Sequence, residues 1–217
     1  MNFYTEMINK LKSGEPFKFS RWGDGEWGCM AGWQGENRDG NKYLPELGES
    51  LRTILDSEPN YYMGLQYGVL YNEQLREYVF NHLFVHYGIN WVNGDVLHQA
   101  SEFGYLPLFI DALRGRNVIV IGAEYFSELP YHHITTEPDN SYHDNESIFM
   151  EINSRDVTGY NTDPVYLVAS AMNSNVIIDK LPDTVTAIDI GSVFDPYLGR
   201  PRASYQHKMN VKFNDLW

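Results

Sequence analysis

An α/β fold with a mostly parallel sheet flanked by helices, in a single domain over residues 1–217, is what this sequence predicts, and two observations carry the prediction. Three runs, Val118-Ile119-Val120-Ile121-Gly122, Val165-Tyr166-Leu167-Val168-Ala169 and Val185-Thr186-Ala187-Ile188-Asp189-Ile190, are almost continuously apolar and rich in β-branched residues. That is the character of strands covered on both faces. Between the last two lies a short helical stretch, Met172 to Lys180, bounded by Pro182. Strand, helix and strand in that order imply a right-handed crossover and hence a parallel sheet.

The remaining elements follow in chain order. Phe3, Met7, Ile8 and Leu11 share a helical face, closed by Gly14 and Pro16. Phe17-Lys18-Phe19-Ser20 reads as a strand ending at Arg21. Leu47, Leu51, Ile54 and Leu55 predict a second amphipathic helix before an aromatic strand, Tyr61-Tyr62-Met63-Gly64-Leu65. A helix from Glu73 to Tyr87 carries Leu75, Val79, Leu83 and His86 on one face, with Gly88 as its C-cap. Ile89-Asn90-Trp91-Val92 is a short strand, and Ser101 to Arg114 is helical with a start or kink at Pro107. The polar stretch 130–147, with Tyr131-His132-His133, Pro138-Asp139-Asn140 and His143-Asp144, is expected to be a loop, either over the active site or simply on the surface.

At 217 residues and 43% hydrophobic content the chain can bury a real core by itself. A net charge of −13 repels phosphate backbones and argues against nonspecific nucleic-acid binding. The single cysteine, Cys29, excludes an internal disulfide framework. With no apolar run of membrane-spanning length and no basic-then-apolar start, a cytoplasmic location is expected. Aromatic residues are abundant, with 16 Tyr and 5 Trp. They suit sugar faces and nucleobases, although packing is their commonest use.

In α/β sheets ligands sit beyond the carboxyl ends of the strands. Arg21 to Glu26, Gly122 to Glu124, Ser170 to Asn173 and Gly191 to Asp195 all fall at such ends. The first is the most informative: in Arg21-Trp22-Gly23-Asp24-Gly25-Glu26-Trp27-Gly28, two carboxylates separated by a glycine follow directly on a strand. A hard cation such as Mg²⁺ or Mn²⁺ takes one or two protein carboxylates and leaves the rest of its shell to water and phosphate. Gly23 allows close approach of a ligand, and Arg21 offers a guanidinium to a phosphate. The alternative is local: Asp24 as a helix N-cap and Glu26 as an acid in the first helical turn.

With Arg-x-Gly-Asp-Gly-Glu near its start and Ala187-Ile188-Asp189-Ile190-Gly191 near its end, the chain resembles the GT-D class of glycosyltransferases, first described as a domain of unknown function. The resemblance implies a modified Rossmann-like domain, a nucleotide-diphosphate sugar such as a UDP-sugar as donor, and a divalent metal held by the Asp-x-Glu motif. Carried to this sequence, it implies Asp24 and Glu26 as metal ligands and Arg21 beside the donor diphosphate. The family continues its late motif with a histidine and then acidic residues, whereas this chain reads Ser192-Val193-Phe194-Asp195-Pro196-Tyr197. The family's catalytic base therefore has no matched position. Asp195, Glu124 and Asp189 are the candidates for that role, in that order. Arg200 and Arg202 either clamp the donor phosphates from the far side or are surface charges near the C-terminus, and Gly23, Gly122, Ser170 and Asn173 are the further candidate donor-binding positions.

Other signals carry less. His82 and His86 are four residues apart on one helix face, but no glutamate stands where a zinc-protease helix places one. His132 and His133 are adjacent, which does not converge two imidazoles. His98, after Asp95-Val96-Leu97, either lies near the nucleotide or simply starts a helix. Cys29 has no thiol partner and is read as packed. Neither a P-loop nor a Gly-x-Gly-x-x-Gly fingerprint is present. The expectation is a metal-dependent glycosyltransferase acting on an acceptor hydroxyl of a glycan, a glycopeptide or a modified nucleobase. Its rivals are a noncatalytic sugar- or nucleotide-binding module and a metal-dependent phosphoester hydrolase.

Overall fold

The computed structural model describes residues 2–37, 40–137, 139–154, 163–211 and 215–216. Their elements are α1 (Phe3–Ser13), β1 (Lys18–Trp22), α2 (Asp24–Met30), α3 (Pro45–Asp56), β2 (Tyr62–Leu65), α4 (Tyr67–Tyr71), α5 (Glu73–Val85), β3 (Asn90–Asn93), α6 (Val96–Glu102), α7 (Leu106–Leu113), β4 (Val118–Gly122), β5 (His132–Thr135), α8 (Asn145–Ser154), β6 (Val165–Ala169), α9 (Asn173–Lys180) and β7 (Thr186–Asp189). The strands form one seven-stranded sheet in the order β3-β2-β1-β7-β6-β4-β5. Every pairing is parallel. No helix among the described residues is long and apolar enough to cross a membrane.

Apolar residues on both sheet faces explain why the strand runs lack alternation. One face buries Phe19, Val120, Leu167 and Ile188 against α1, α6 and α7. The other buries Trp22 and Met63 against α2, α3 and α5, and Ile121, Val168 and Ala187 against α8 and α9. Each of the larger aliphatic or phenyl side chains among them contributes about 1.5–3 kcal/mol by leaving water.

The strand order positions the site. β1 and β7 are the first and last strands in sequence yet lie side by side, with Lys18 opposite Ala187 and Phe19 opposite Ile188. After β1 the chain enters α2, whose Trp27, Cys29 and Met30 belong to one face. After β7 it sends Val193, Phe194 and Tyr197 to the opposite face. The two connections diverge, so a crevice opens over the carboxyl ends of β1 and β7.

Several expectations need correction. The stretch 130–147 is not one loop: it contains β5, a 3₁₀ turn at Ser141–Asp144 and the first residues of α8, with Pro138 outside the described residues. β5 escaped notice because an edge strand needs little apolar patterning; only Ile134 is buried while His132 to Thr135 pair with Ile119 to Gly122 through the main chain. The single helix expected from Ser101 to Arg114 is two, α6 beginning at Val96 and α7 at Leu106. Gly104 separates them in the left-handed region, and Pro107 sits harmlessly in the first turn of α7. α5 ends at Val85 with His86 as its cap, so Gly88 does not play that part.

Candidate active site

The chain leaves β1 at Trp22, and Gly23 becomes the N-cap of α2, with Asp24 and Glu26 in its first turn. Two internal glycines cost this helix about 0.5–1 kcal/mol each. Burial of Trp27, Cys29 and Met30 offsets that cost. Glu26 also closes the helix end: its Oε2 accepts the Gly23 N–H at 2.8 Å. Gly23 lies against Gln66, whose Oε1 would stand 1.9 Å from a Cβ at this position. Asp24 is exposed, with Oδ1 accepting the Gly25 N–H at 3.1 Å. The local reading of the two acids is therefore right in part, with Gly23 rather than Asp24 as the cap.

Asp24 and Glu26 line a cleft of about 540 Å³ over the β1/β7 crevice. Arg21, Asp189 and Arg202 line it as well, together with Gln66, Asp95, His98, Tyr125 and Tyr205. Arg21 donates Nε–H to the Gly94 carbonyl at 3.0 Å, and its Nη1 is 3.8 Å from Asp189 Oδ1. Gly191 makes room for that guanidinium: its φ is +47°, and a Cβ there would lie 1.8 Å from Nη1. Asp189 Oδ1 accepts the Gly191 N–H at 2.9 Å.

Burial dominates the electrostatics. It pushes the Glu26 carboxyl up to about 7, with the Asp189 charge adding to the shift and the Gly23 N–H and Arg21 opposing it. Burial likewise raises Asp189 to about 6 against the pull of Arg21 and the Gly191 N–H. His98 is driven well below the usual imidazole value by burial and then by Arg21 and Arg202, so it is neutral. The thiol of Cys29 is buried and pushed up to about 11, chiefly by desolvation, and Sγ faces the Leu44 carbonyl at 3.3 Å. It is packed and is no nucleophile.

The other sequence candidates lie around the cleft without lining it. Asp195 is fully buried, accepting Tyr125 O–H at 3.1 Å and Arg202 Nε–H at 2.6 Å. Glu124 is exposed and accepts the Thr135 hydroxyl at 2.9 Å. The Asn173 side chain donates to the Ser141 carbonyl at 3.0 Å and pairs with the Asn145 amide at 2.9 Å. Ser170 takes part in the same anchorage, its carbonyl accepting the Ser141 hydroxyl at 3.4 Å. These residues hold 141–145 in place, and no described residue of 130–147 lines the cleft. Gly122 supports β5, accepting a contact from His133 Nε2 at 3.0 Å. Arg200 stacks over Tyr125 at 4.7 Å. His82 lies 5.7 Å from Trp27, ring to ring, within an aromatic cluster.

Sequence reasoning missed Gln66, Asp95, Gln99, Tyr125 and Tyr205 as cleft residues. One signal was present: Gln66 follows directly on β2 and Asp95 stands two residues beyond β3, where ligands of α/β sheets gather. Tyr205 had none, because it reaches the cleft from an irregular segment with no periodic pattern.

As a metal centre, the acids fit a shared rather than a closed site. Among the described residues no three His, Cys, Asp or Glu side chains converge as a cage. Asp24 and Glu26 are hard oxygen donors facing one cleft, and the desolvated Glu26 lacks full charge compensation. That donor set suits Mg²⁺ or Mn²⁺ with part of its shell supplied by a phosphate.

No protein-family model and no curated protein matches the sequence. Two solved structures match it in shape. One is described as the highly conserved domain of unknown function 1792 with a distinct glycosyltransferase fold, and the other is a selenomethionine-substituted structure of that domain. Each superposes with a TM-score of 0.62 at 16% identity, over 96% of this chain and 88% of the other. The chain shares that distinct fold.

Proposed function

We propose that the protein is a glycosyltransferase that moves a sugar from a nucleotide-diphosphate donor to an acceptor hydroxyl with the help of Mg²⁺ or Mn²⁺. One observation carries the reading: in a single cleft at the switch between β1 and β7, Asp24 and Glu26 stand with Arg21 and Arg202. Paired acids and paired guanidiniums in one cavity suit a ligand that brings phosphate and cation together. The shared fold agrees with this reading.

Asp24 and Glu26 would hold the ion, which when bound neutralises charge on the departing diphosphate. Glu26 is positioned for this by the same contact that caps α2. Arg21, fixed by Gly94 and lodged against Gly191, offers its guanidinium to the phosphates. Of the three acids considered as base, only Asp189 lines the cleft. Raised to about 6 by burial, it is ionised at neutral pH yet basic enough to take the acceptor proton. The buried free thiol of Cys29 suits a reducing, cytoplasmic setting. A glycan, a glycopeptide or a modified nucleobase can supply the hydroxyl.

A panel of nucleotide sugars with Mn²⁺ or Mg²⁺ tests the proposal. Transfer, or slow donor hydrolysis lost on chelation, is expected. Measurable donor binding with neither activity would leave a noncatalytic binding module. Cleavage of simple phosphoesters without sugar transfer would favour the hydrolase.

A further inference from the structure

A chain of hydrogen bonds ends in the cleft at a residue that the foregoing reaction does not use. Gln206 is almost fully buried. Its Oε1 accepts the backbone N–H groups of Arg202 at 2.8 Å and Ala203 at 3.0 Å. Two backbone donors on one atom fix the amide orientation, so Nε2 is the donor end. It gives hydrogen bonds to the Ser192 carbonyl at 2.7 Å and, more weakly, to Tyr205 Oη at 3.4 Å. Tyr205 Oη in turn lies 2.7 Å from His98 Nδ1.

With the hydroxyl proton of Tyr205 directed at Nδ1, the neutral imidazole carries its own proton on Nε2. Among the described residues no hydrogen bond reaches Nε2. The atom faces the Gly191 corner, 3.5 Å from where a Cβ on that residue would lie, beside the Arg21 guanidinium. Arg202, Tyr205 and His98 all line the same cleft. A neutral N–H donor beside one guanidinium and within electrostatic reach of a second is suited to an oxyanion: it adds a directed hydrogen bond without a third positive charge to desolvate.

We propose that His98, oriented by Tyr205 and Gln206, donates its Nε2–H to a phosphate oxygen of the ligand and is a phosphate-recognising residue of this site. The inference rests on the reading of the cleft as a nucleotide-diphosphate site. The low proton affinity of His98 agrees with it, since the residue binds as the neutral donor across the physiological range.

Calorimetric titration of the full chain with inorganic pyrophosphate and with UDP, both in Mg²⁺, tests this. His98→Ala should weaken both by about 10-fold or more, the usual worth of a hydrogen bond to a charged group. His98→Gln, which returns an N–H donor near the Nε2 position, should stay within about threefold of the wild type. Tyr205→Phe should fall between them, and thermal unfolding should show all three variants folded. Unchanged pyrophosphate affinity in His98→Ala overturns the proposal, as does a loss in His98→Gln as large as in His98→Ala. A wild type that binds no pyrophosphate overturns it too. His98-dependent pyrophosphate binding without turnover of any nucleotide sugar would leave this inference standing and remove the transferase reading. Sugar transfer with pyrophosphate affinity indifferent to His98→Ala would do the reverse.

Discussion

Asp195 Oδ2 accepts the Arg202 Nε–H at 2.6 Å with the carboxylate fully buried. This pairing bears on the expectation that Asp195 is the catalytic base. The carboxylate is engaged by a guanidinium and by the Tyr125 hydroxyl and is not among the residues lining the cleft, so its position serves to fix an arginine of the cleft.

Asp195→Ala should therefore act on stability and on donor affinity rather than on proton transfer. The loss of a hydrogen bond between charged groups predicts about 1.5–3 kcal/mol lower unfolding free energy in urea. KM for the donor should rise as Arg202 loses this anchor. A variant with full stability and a shifted pH profile would restore Asp195 as the base.

As the base proposed above, Asp189 should set the acid limb of the activity profile. With its carboxyl at about 6, kcat/KM should climb as pH rises through that value. Asp189→Asn should abolish the limb along with most of the activity. An unchanged limb near pH 6 would move the base elsewhere.

The same raised values make stability depend on pH in a defined sense. Asp189 and Glu26 hold protons in the folded state to about 6 and 7, against ordinary values of 3.8 and 4.5. The folded chain binds more protons in that window, so the stability these groups contribute is complete below the ordinary values and is lost as pH rises through 6 and 7. His98 acts in the opposite sense below 6.5, where its resistance to protonation disfavours the folded state. Thermal unfolding of Asp189→Asn against the wild type isolates the first contribution. The difference between them should grow in the variant's favour from pH 4 to 7, and a constant difference would contradict it.

Glu26 needs two substitutions, because it both caps α2 and faces the cleft. Glu26→Ala should cost about 1 kcal/mol through the lost cap as well as activity. Glu26→Gln keeps a side-chain acceptor at the same helical position and should retain nearly full stability. Glu26→Gln and Asp24→Asn should both lose metal-dependent transfer. Full turnover in either would count against the acid pair as metal ligands.

Gly191→Ala combines a left-handed backbone with a collision against Arg21. Strain alone predicts about 1–2 kcal/mol of destabilisation. Displacement of the guanidinium should raise the donor KM, as Arg21→Ala would. Normal stability and KM would mean that the corner relaxes freely.

Much of the fold was legible because burial on both faces leaves an unambiguous trace: β4, β6 and β7 are runs of mainly apolar residues, with Asp189 as the charged exception at the cleft end of β7. α1, α3 and α5 were equally readable from one buried stripe each. β5 and α8 were not, since one sits at the sheet edge with a single buried residue and the other buries only Ile148 completely. α2 lacked a helical signature because its glycines and acids serve the cleft as well as the helix.

By itself the sequence determined a parallel α/β sheet and placed Arg21, Asp24 and Glu26 together at the end of the first strand, because residues close in the chain and next to a strand end are close in space. Which acid meets the cleft, and that His98, Tyr205 and Arg202 meet it too, only the tertiary structure decided. Asp189, His98 and Tyr205 are separated by up to 107 residues. Their convergence depends on β1 pairing with β7 and on Gln206 tying the chain back to Ser192, and long-range pairing of this kind leaves no local pattern to read.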